Sequence, residues 1–397
     1  MLNGLRIVEY ATYVAAPGAG GLLADWGADV IKVEPPGGDP IRQFFASVGV
    51  ESETNPVFDL DNRGKRAIVL DTAQDGGRDA LLRLIDGADV FLTNVRPGGL
   101  KRAGLDFETI SERCPTLVYA SVTGYGLEGA DADKPGMDTA AFWARSGLAA
   151  MFTPKGAEPV QLRTAFGDHV ASMAMLAGIL AALHERTRTG RGRLVEASLL
   201  RVANYAAGSD LAIQHVRGRI ASNRPRANAP NPLINYFKTR DERWLCLITR
   251  QGARDWLALC RALKREDLIE DERFARAKGR RENGPALVAI LDEAFAALSH
   301  SEAGAALDAH DIIWALVQTP AEAIADPQVI ASGAIVQTPL AGGGSIAAPA
   351  GPISFPGADD GPKGPSPRVG EHTRAILAEA GYSDAEIDAL YASSAAA

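Results

Sequence analysis

The chain has 397 residues and a formal net charge of −8. That length calls for two domains rather than one simple core, and an apolar fraction of 46% with 23% charged residues fits a soluble globular protein. The acidic balance excludes the broad basic surface of a nucleic-acid binder, although local basic groups can still hold a small anionic ligand.

In chain order, Leu5–Tyr10 reads as a strand and is followed by the small-residue stretch Ala15–Gly21, taken as a turn. Leu22–Trp26 reads as a helix stopped by Gly27, and Asp29–Glu34 as a second strand stopped by Pro35-Pro36-Gly37-Gly38. A strand, a crossover helix and a strand make a βαβ unit with a parallel sheet. The alternation continues with a strand at Lys65–Leu70, a helix at Gly76–Ile85 and a strand at Val90–Asn94, closed by Arg96–Gly99. A short helix at Phe107–Glu112 and a strand at Leu117–Val122, ended by Gly124-Tyr125-Gly126, complete an open α/β domain. Ligands of such domains bind beyond the carboxyl ends of the strands, where Gly18–Gly21, Asn94–Gly99 and Thr123–Gly126 would face one crevice. Val170–Leu183 is a long apolar run that reads as a core helix. Past about Arg201 the pattern changes. Asn223–Asn231 reads as a linker, Trp244–Thr249 as a strand, and Ala253–Leu263 and Pro285–Leu298 as helices. A loop-rich tail over Gly342–Pro367 leads to helices at Thr373–Ala380 and Asp384–Tyr391.

Cys114, Cys246 and Cys260 are far apart, so a reducing, cytoplasmic location is expected and a disulfide framework is not. Six scattered histidines show no metal-ligand spacing. The sequence opens directly on a strand-like segment with no visible signal peptide, and no apolar run reaches the roughly 20 residues of a membrane helix.

Several residues invite a chemical reading. The glycines after the first strand could cradle a phosphate, with Glu34 on a ribose, but Gly18-Ala19-Gly20-Gly21-Leu22-Leu23 lacks the G-x-G-x-x-G spacing, so a close-packing turn is the stronger reading. Arg42, Arg63, Lys65, Arg66, Arg96, Lys101, Arg102 and Lys134 lie near the crevice as candidate phosphate partners or as ordinary surface charge. His169 adjoins Asp168 but neighbours on a helix point apart, so no His–Asp pair is implied between them. Asp168 itself, in Ala165-Phe166-Gly167-Asp168-His169, stands before the apolar run. It could cap that helix, which is worth about 1 kcal/mol, or attack an activated carbonyl as an ordinary ionised carboxylate with backbone N–H groups holding the oxyanion. The residues alone leave both readings open.

Five stretches carry a resemblance: Leu22–Glu34, Asn62-Arg63-Gly64-Lys65-Arg66, Gly167-Asp168 with the helix after it, Thr189-Gly190-Arg191-Gly192, and Gly370-Glu371-His372-Thr373. The chain resembles the class III CoA-transferases, the superfamily of formyl-CoA transferase and carnitine CoA-transferase that also holds the α-methylacyl-CoA racemases. The resemblance implies an α/β fold: a Rossmann-like large domain with an open parallel sheet, a smaller α+β domain, and an interlocked homodimer. It places the large domain at 1–200 and 330–397 and the small domain at 225–325, with linkers at 201–224 and 326–329. It implies Asp168 as the nucleophile, Asp138 in an orienting role or as a helix cap, and coenzyme A as part of the substrate. Coenzyme A contacts carried over by position are Tyr13, Val14, Ala15, Leu70, Ala73, Asn94, Val95, Arg102 and Lys134. Pro35 and Ala73 depart from basic residues common in the family, with Arg42 or Lys101 as compensating charges.

The activity implied is transfer of coenzyme A from an acyl-CoA to a small carboxylic acid, through an aspartyl anhydride and an aspartyl-CoA thioester, with no metal, redox cofactor, nucleic acid or membrane involved. The racemase branch uses a histidine before an aspartate, where this chain has Met137-Asp138, so an acyl-CoA isomerase is the alternative. A nucleotide-binding protein without chemistry is a third reading. Phe142, Trp143 and Arg145 are candidates for shaping the acyl pocket, and an inward Arg145 would favour a dicarboxylate.

Overall fold

The computed structural model describes residues 1–52, 54–221, 223–249 and 252–397. The chain divides into two compact units: residues 1–150, 160–220 and 327–397, and residues 151–159 and 221–326.

The first unit is built on a six-stranded, all-parallel sheet: β1 (Arg6–Tyr10), β2 (Asp29–Glu34), β3 (Arg66–Val69), β4 (Val90–Thr93), β5 (Val118–Thr123) and β6 (Leu194–Ser198). Their spatial order is β3-β2-β1-β4-β5-β6. The order reverses direction between β1 and β4, and the loops leaving those two strands part there, opening the crevice where doubly wound folds bind ligands. The last strand, Leu194–Ser198, and the helices Leu199–Ala206 and Gly208–Arg217 occupy chain that the sequence pattern left unassigned or read as linker. Only position 222 of that expected 201–224 linker lies outside the described residues.

One face of the sheet is apolar. Val8, Ile31, Ile68 and Phe91 pack with Leu81 and Ile85 of a helix at Asp75–Asp86 and with Ile376 and Ile387 of the C-terminal helices. The alternation of strand side chains sends Glu9 and Lys32 to the other face. There they are fully buried beneath α1 (Ala15–Asp25). Lys32 Nζ pairs with Glu9 (3.2 Å) and Asp39 (2.8 Å), and Lys65 Nζ with the other Glu9 oxygen (2.7 Å) and with the carbonyl of Pro17 (2.9 Å). Each buried charge meets an opposite one, which is the condition for tolerating it.

Helix α1 begins at Ala15, so the expected glycine turn is helix interior. Glycine is a poor helix former, and close packing overrides that preference. A Cβ on Gly18 would sit 2.5 Å from Ser172 Oγ, one on Gly20 1.9 Å from Glu9 Oε2, and one on Gly21 2.7 Å from the Asp61 carbonyl. These glycines bring α1 down onto α2 (Pro56–Asn62), onto the ion pairs and onto α3 (Phe166–Thr189). Helix α3 is longer than its apolar run, and by length and composition it could cross a membrane. Here Ala171, Met175 and Ile179 are buried, and Ser172 Oγ donates to the Ala15 carbonyl at 2.8 Å.

The second unit holds a three-stranded antiparallel sheet, Ile234–Lys238, Trp244–Ile248 and Ile313–Leu316. Helices Ala253–Ala262, Gly284–Ala296 and His300–Asp308 cover one face, burying Phe237, Leu245, Trp256, Leu291 and Phe295.

Candidate active site

Three loops leave the carboxyl ends of β1, β4 and β5 and meet the segment 132–139 and the start of α3 around a cavity of about 500 Å³. Asn94 ties the first two loops together: its Oδ1 accepts from Thr12 N–H (3.1 Å) and its Nδ2 donates to the Thr12 carbonyl (2.6 Å). Gly124 and Gly136 allow the third loop and the 132–139 segment to touch, since a Cβ on either would lie within 2.8 Å of the other's Cα. Two non-glycine residues on the cavity wall, Tyr13 (φ 64°) and Ala165 (φ 59°), are left-handed. Each such residue costs on the order of 1 kcal/mol, and such strain concentrates at working sites. The Tyr13 N–H is held by Asp39 Oδ1 at 3.1 Å, which links this loop to the buried ion pairs.

Asp168 is the third residue of α3, and the helix is not capped by it: Ala165 occupies the cap position without a side-chain bond. The capping expectation passes instead to Asp138. Its Oδ2 accepts the N–H of Gly167 (3.3 Å), one of the open donors of the first turn, and its Oδ1 accepts that of Thr139 (2.7 Å). Gly167 must be glycine, because a Cβ there would lie 2.6 Å from the Phe142 ring. The Asp168 carboxylate makes no hydrogen bond among the described residues and lines the cavity beside Asp138. Burial first, and then the charge of Asp138, push its carboxyl up to about 7 against the opposing pull of His169. The ordinary, untuned acidity expected from residue type alone therefore does not hold. His169 pairs with Asp61 rather than with Asp168: Nε2 lies 3.2 Å from Asp61 Oδ1, and that bond holds the imidazole above its usual value.

The residues expected at the site divide in two. Tyr13, Val14, Ala15, Asn94 and Lys134 line the cavity with Asp138 and Asp168. Leu70, Ala73, Val95 and Arg102 do not. Leu70 alternates to the apolar face and is buried there, and Val95 packs against the same core. Ala73 is exposed after β3, its N–H bound to Asp71 Oδ1 (3.1 Å), and Arg102 points outward from the helix Pro97–Ala103 while Leu100 points in.

Half of the candidate phosphate partners are structural. Arg42 is bidentate to Glu34 (2.9 and 3.0 Å), Arg63 to Asp25, Lys65 to Glu9 and Arg66 to Asp29. Arg42 therefore does not compensate for Pro35, and Glu34 is not free for a ribose. Arg96 and Lys134 remain in the cavity wall. Arg145 pairs with Asp131 at 3.0 Å outside the cavity, and Phe142 is buried under Gly167. Ile41, Phe44 and Val57 also line the cavity, from a segment given no element by its sequence pattern. Asn55-Pro56, a cap residue followed by proline at the first helical position, was the available signal for α2.

The model of CoA-transferase family III matches residues 2–373. The chain belongs to that family. It is 34% identical over 394 residues to cinnamoyl-CoA:phenyllactate CoA-transferase of Clostridium sporogenes, covering 98% of this chain and 96% of that one. It is 31% identical over 387 residues to succinate–glutarate CoA-transferase of Agrobacterium fabrum, covering 95% of each. A CaiB/BaiF family protein from Brucella suis superposes with a TM-score of 0.83 at 30% identity, over 96% of this chain and 99% of that one. The chain is a class III CoA-transferase with the α/β fold of its relatives, and acyl-CoA is its substrate class. The racemase alternative is not favoured: Met137 is exposed at the cavity, where a thioether cannot accept a proton.

Proposed function

We propose that Asp168 is the nucleophile of a CoA transfer between a donor acyl-CoA and an acceptor acid. The Asp168 carboxylate oxygen attacks the donor thioester carbonyl, the C–S bond breaks, and an aspartyl–acyl anhydride and CoA thiolate result. The thiolate attacks the aspartyl carbonyl, giving an aspartyl-CoA thioester and the free donor carboxylate. The acceptor carboxylate attacks that thioester, again releasing thiolate through a second anhydride. The thiolate takes the acceptor acyl group and returns Asp168 as a carboxylate. The thioester's energy is conserved at each step, so the scheme uses neither metal nor redox cofactor. Coenzyme A enters with its phosphates toward Arg96 and Lys134.

The observation that carries this reading is an aspartate at a helix start with unoccupied oxygens facing a cavity, while a second aspartate does the capping. Asp168→Ala and Asp168→Asn should each lose at least about 10³-fold in transfer and keep a native circular dichroism spectrum. Retained turnover would falsify the assignment. The charged nucleophile also requires kcat/KM to rise with pH through about 7, since the folded protein holds the Asp168 proton up to that value.

We further propose an interlocked homodimer in the cytoplasm. The helix Gly208–Arg217 buries none of its residues, and Tyr205 and Val216 are 90% and 79% exposed, which supports a partner surface there. Light scattering that gives a monomer mass would refute the dimer.

A further inference from the structure

The cavity has two chemically different walls. One is built by the loop after β4 and the 132–136 segment: Arg96 NH1 donates to the Asp133 carbonyl (3.2 Å), beside Lys134. The other is apolar. Val14, Ile41 and Ala165 are buried in one cluster, with Phe44 and Val57 packed against it, and all five line the cavity. Ala165 is the cap residue of the helix turn that carries Asp168, so this apolar wall begins where the acyl carbonyl must be attacked.

No cation stands on that wall among the described residues. The nearest in sequence, Arg42, has its guanidinium spent on Glu34 and stacked 3.9 Å from the Phe58 ring centre. Arg145 is outside. The charges lining the cavity are Arg96, Lys134, Asp138 and Asp168, and the last two are acids close to the reacting carbon. A second carboxylate on an acyl chain lying along Val14, Ile41, Phe44 and Val57 would leave water and find no cation on that wall. A branched or aryl chain would meet carbon throughout.

We infer that this enzyme carries acyl groups that are bulky, apolar and uncharged, so that donor and acceptor are both monocarboxylic acids and dicarboxylic acids are excluded. The inference rests on the CoA-transfer reading above. The full-length protein is incubated with 4-methylpentanoyl-CoA and 3-phenylpropanoate, and separately with succinyl-CoA and glutarate, and new thioesters are followed by mass spectrometry. The apolar pair should exceed the dicarboxylate pair in kcat/KM by on the order of 100-fold or more. Val57→Arg, at a half-buried position, should reverse part of that ratio by about 10-fold or more through a new cation on the wall. Equal or faster exchange of the dicarboxylate pair overturns the substrate class and leaves CoA transfer standing. Exchange of neither pair also overturns this inference, while membership of the CoA-transferase family stands. Should Val57→Arg fail to fold, the panel on the unmodified protein still decides.

Discussion

The two faces of the six-stranded sheet solve the same packing problem in opposite ways. The face under Asp75–Asp86 is filled with Val8, Ile31, Phe91, Leu81 and their neighbours. The face under α1 buries Glu9, Lys32 and Lys65 as a paired set, covered by a helix whose glycines leave no room for side chains. The apolar face tolerates volume-conserving exchange. The charged face tolerates almost nothing, because each partner removed strands another charge. That face also supports the site: Asp39 joins Lys32 to the strained Tyr13, and Ser172 joins α1 to the turn of Asp168. Rigidity is concentrated where the loop geometry matters.

Substitutions can break this contrast. The largest effect is expected from Glu9→Gln, which leaves Lys32 and Lys65 short of a counter-charge and should cost about 3–5 kcal/mol in denaturant unfolding. Leu81→Ala on the opposite face should cost about 2–4 kcal/mol as an ordinary cavity, and transfer activity should survive it, whereas Glu9→Gln should also lower kcat by loosening the Tyr13 loop. Equal losses of activity from the two would erase the functional side of the comparison. Gly18→Ala should cost about 1–3 kcal/mol by overpacking against Ser172, and Ser172→Ala in the same chain should restore part of it in a double-mutant cycle.

Asp168→Asn acts in the other direction. The folded-state value near 7 lies above the ordinary 3.8, so the folded protein binds this proton more tightly than the unfolded chain between those limits. The resulting stability is fully present below about pH 4 and is lost as pH rises through 7. Removing the titration should therefore stabilise the protein at pH 8 by on the order of 1–2 kcal/mol, with allowance for solvent screening. The gain should vanish in a melt at pH 4. Smallest of all, Arg102→Ala should leave stability within about 0.5 kcal/mol. A large fall in coenzyme A affinity from it would show that the ligand extends beyond the cavity.

The sheet was legible because β1 to β5 are short apolar runs, with glycine or proline stopping β2, β4 and β5, and strand–helix alternation dictates a parallel order. The crevice shared by the loops after β1, β4 and β5, with Asn94 in it, followed from that order, while Tyr13 and Lys134 were expected there from the family resemblance. What stayed hidden depends on contacts distant in sequence. Gly18, Gly20 and Gly21 look like a phosphate cradle until Ser172, Glu9 and Asp61 are seen pressing on them. Arg63 and Lys65 look like ligands until Asp25 and Glu9 are found behind them. A capping role and a chemical one could not be told apart at Asp168, because the residue that does the capping, Asp138, lies thirty positions earlier.

That arrangement has a consequence for how variants of this chain should be read. Asp138 and Asp168 are identical in chemistry and adjacent in space, yet one has its lone pairs consumed by amide hydrogens and the other keeps them available. Loss of the first would let the second swing in as its substitute, satisfying the frayed turn and silencing the enzyme without touching a reacting atom. A mutation at position 138 can thus mimic an active-site knockout while the proposed nucleophile itself is still in the chain.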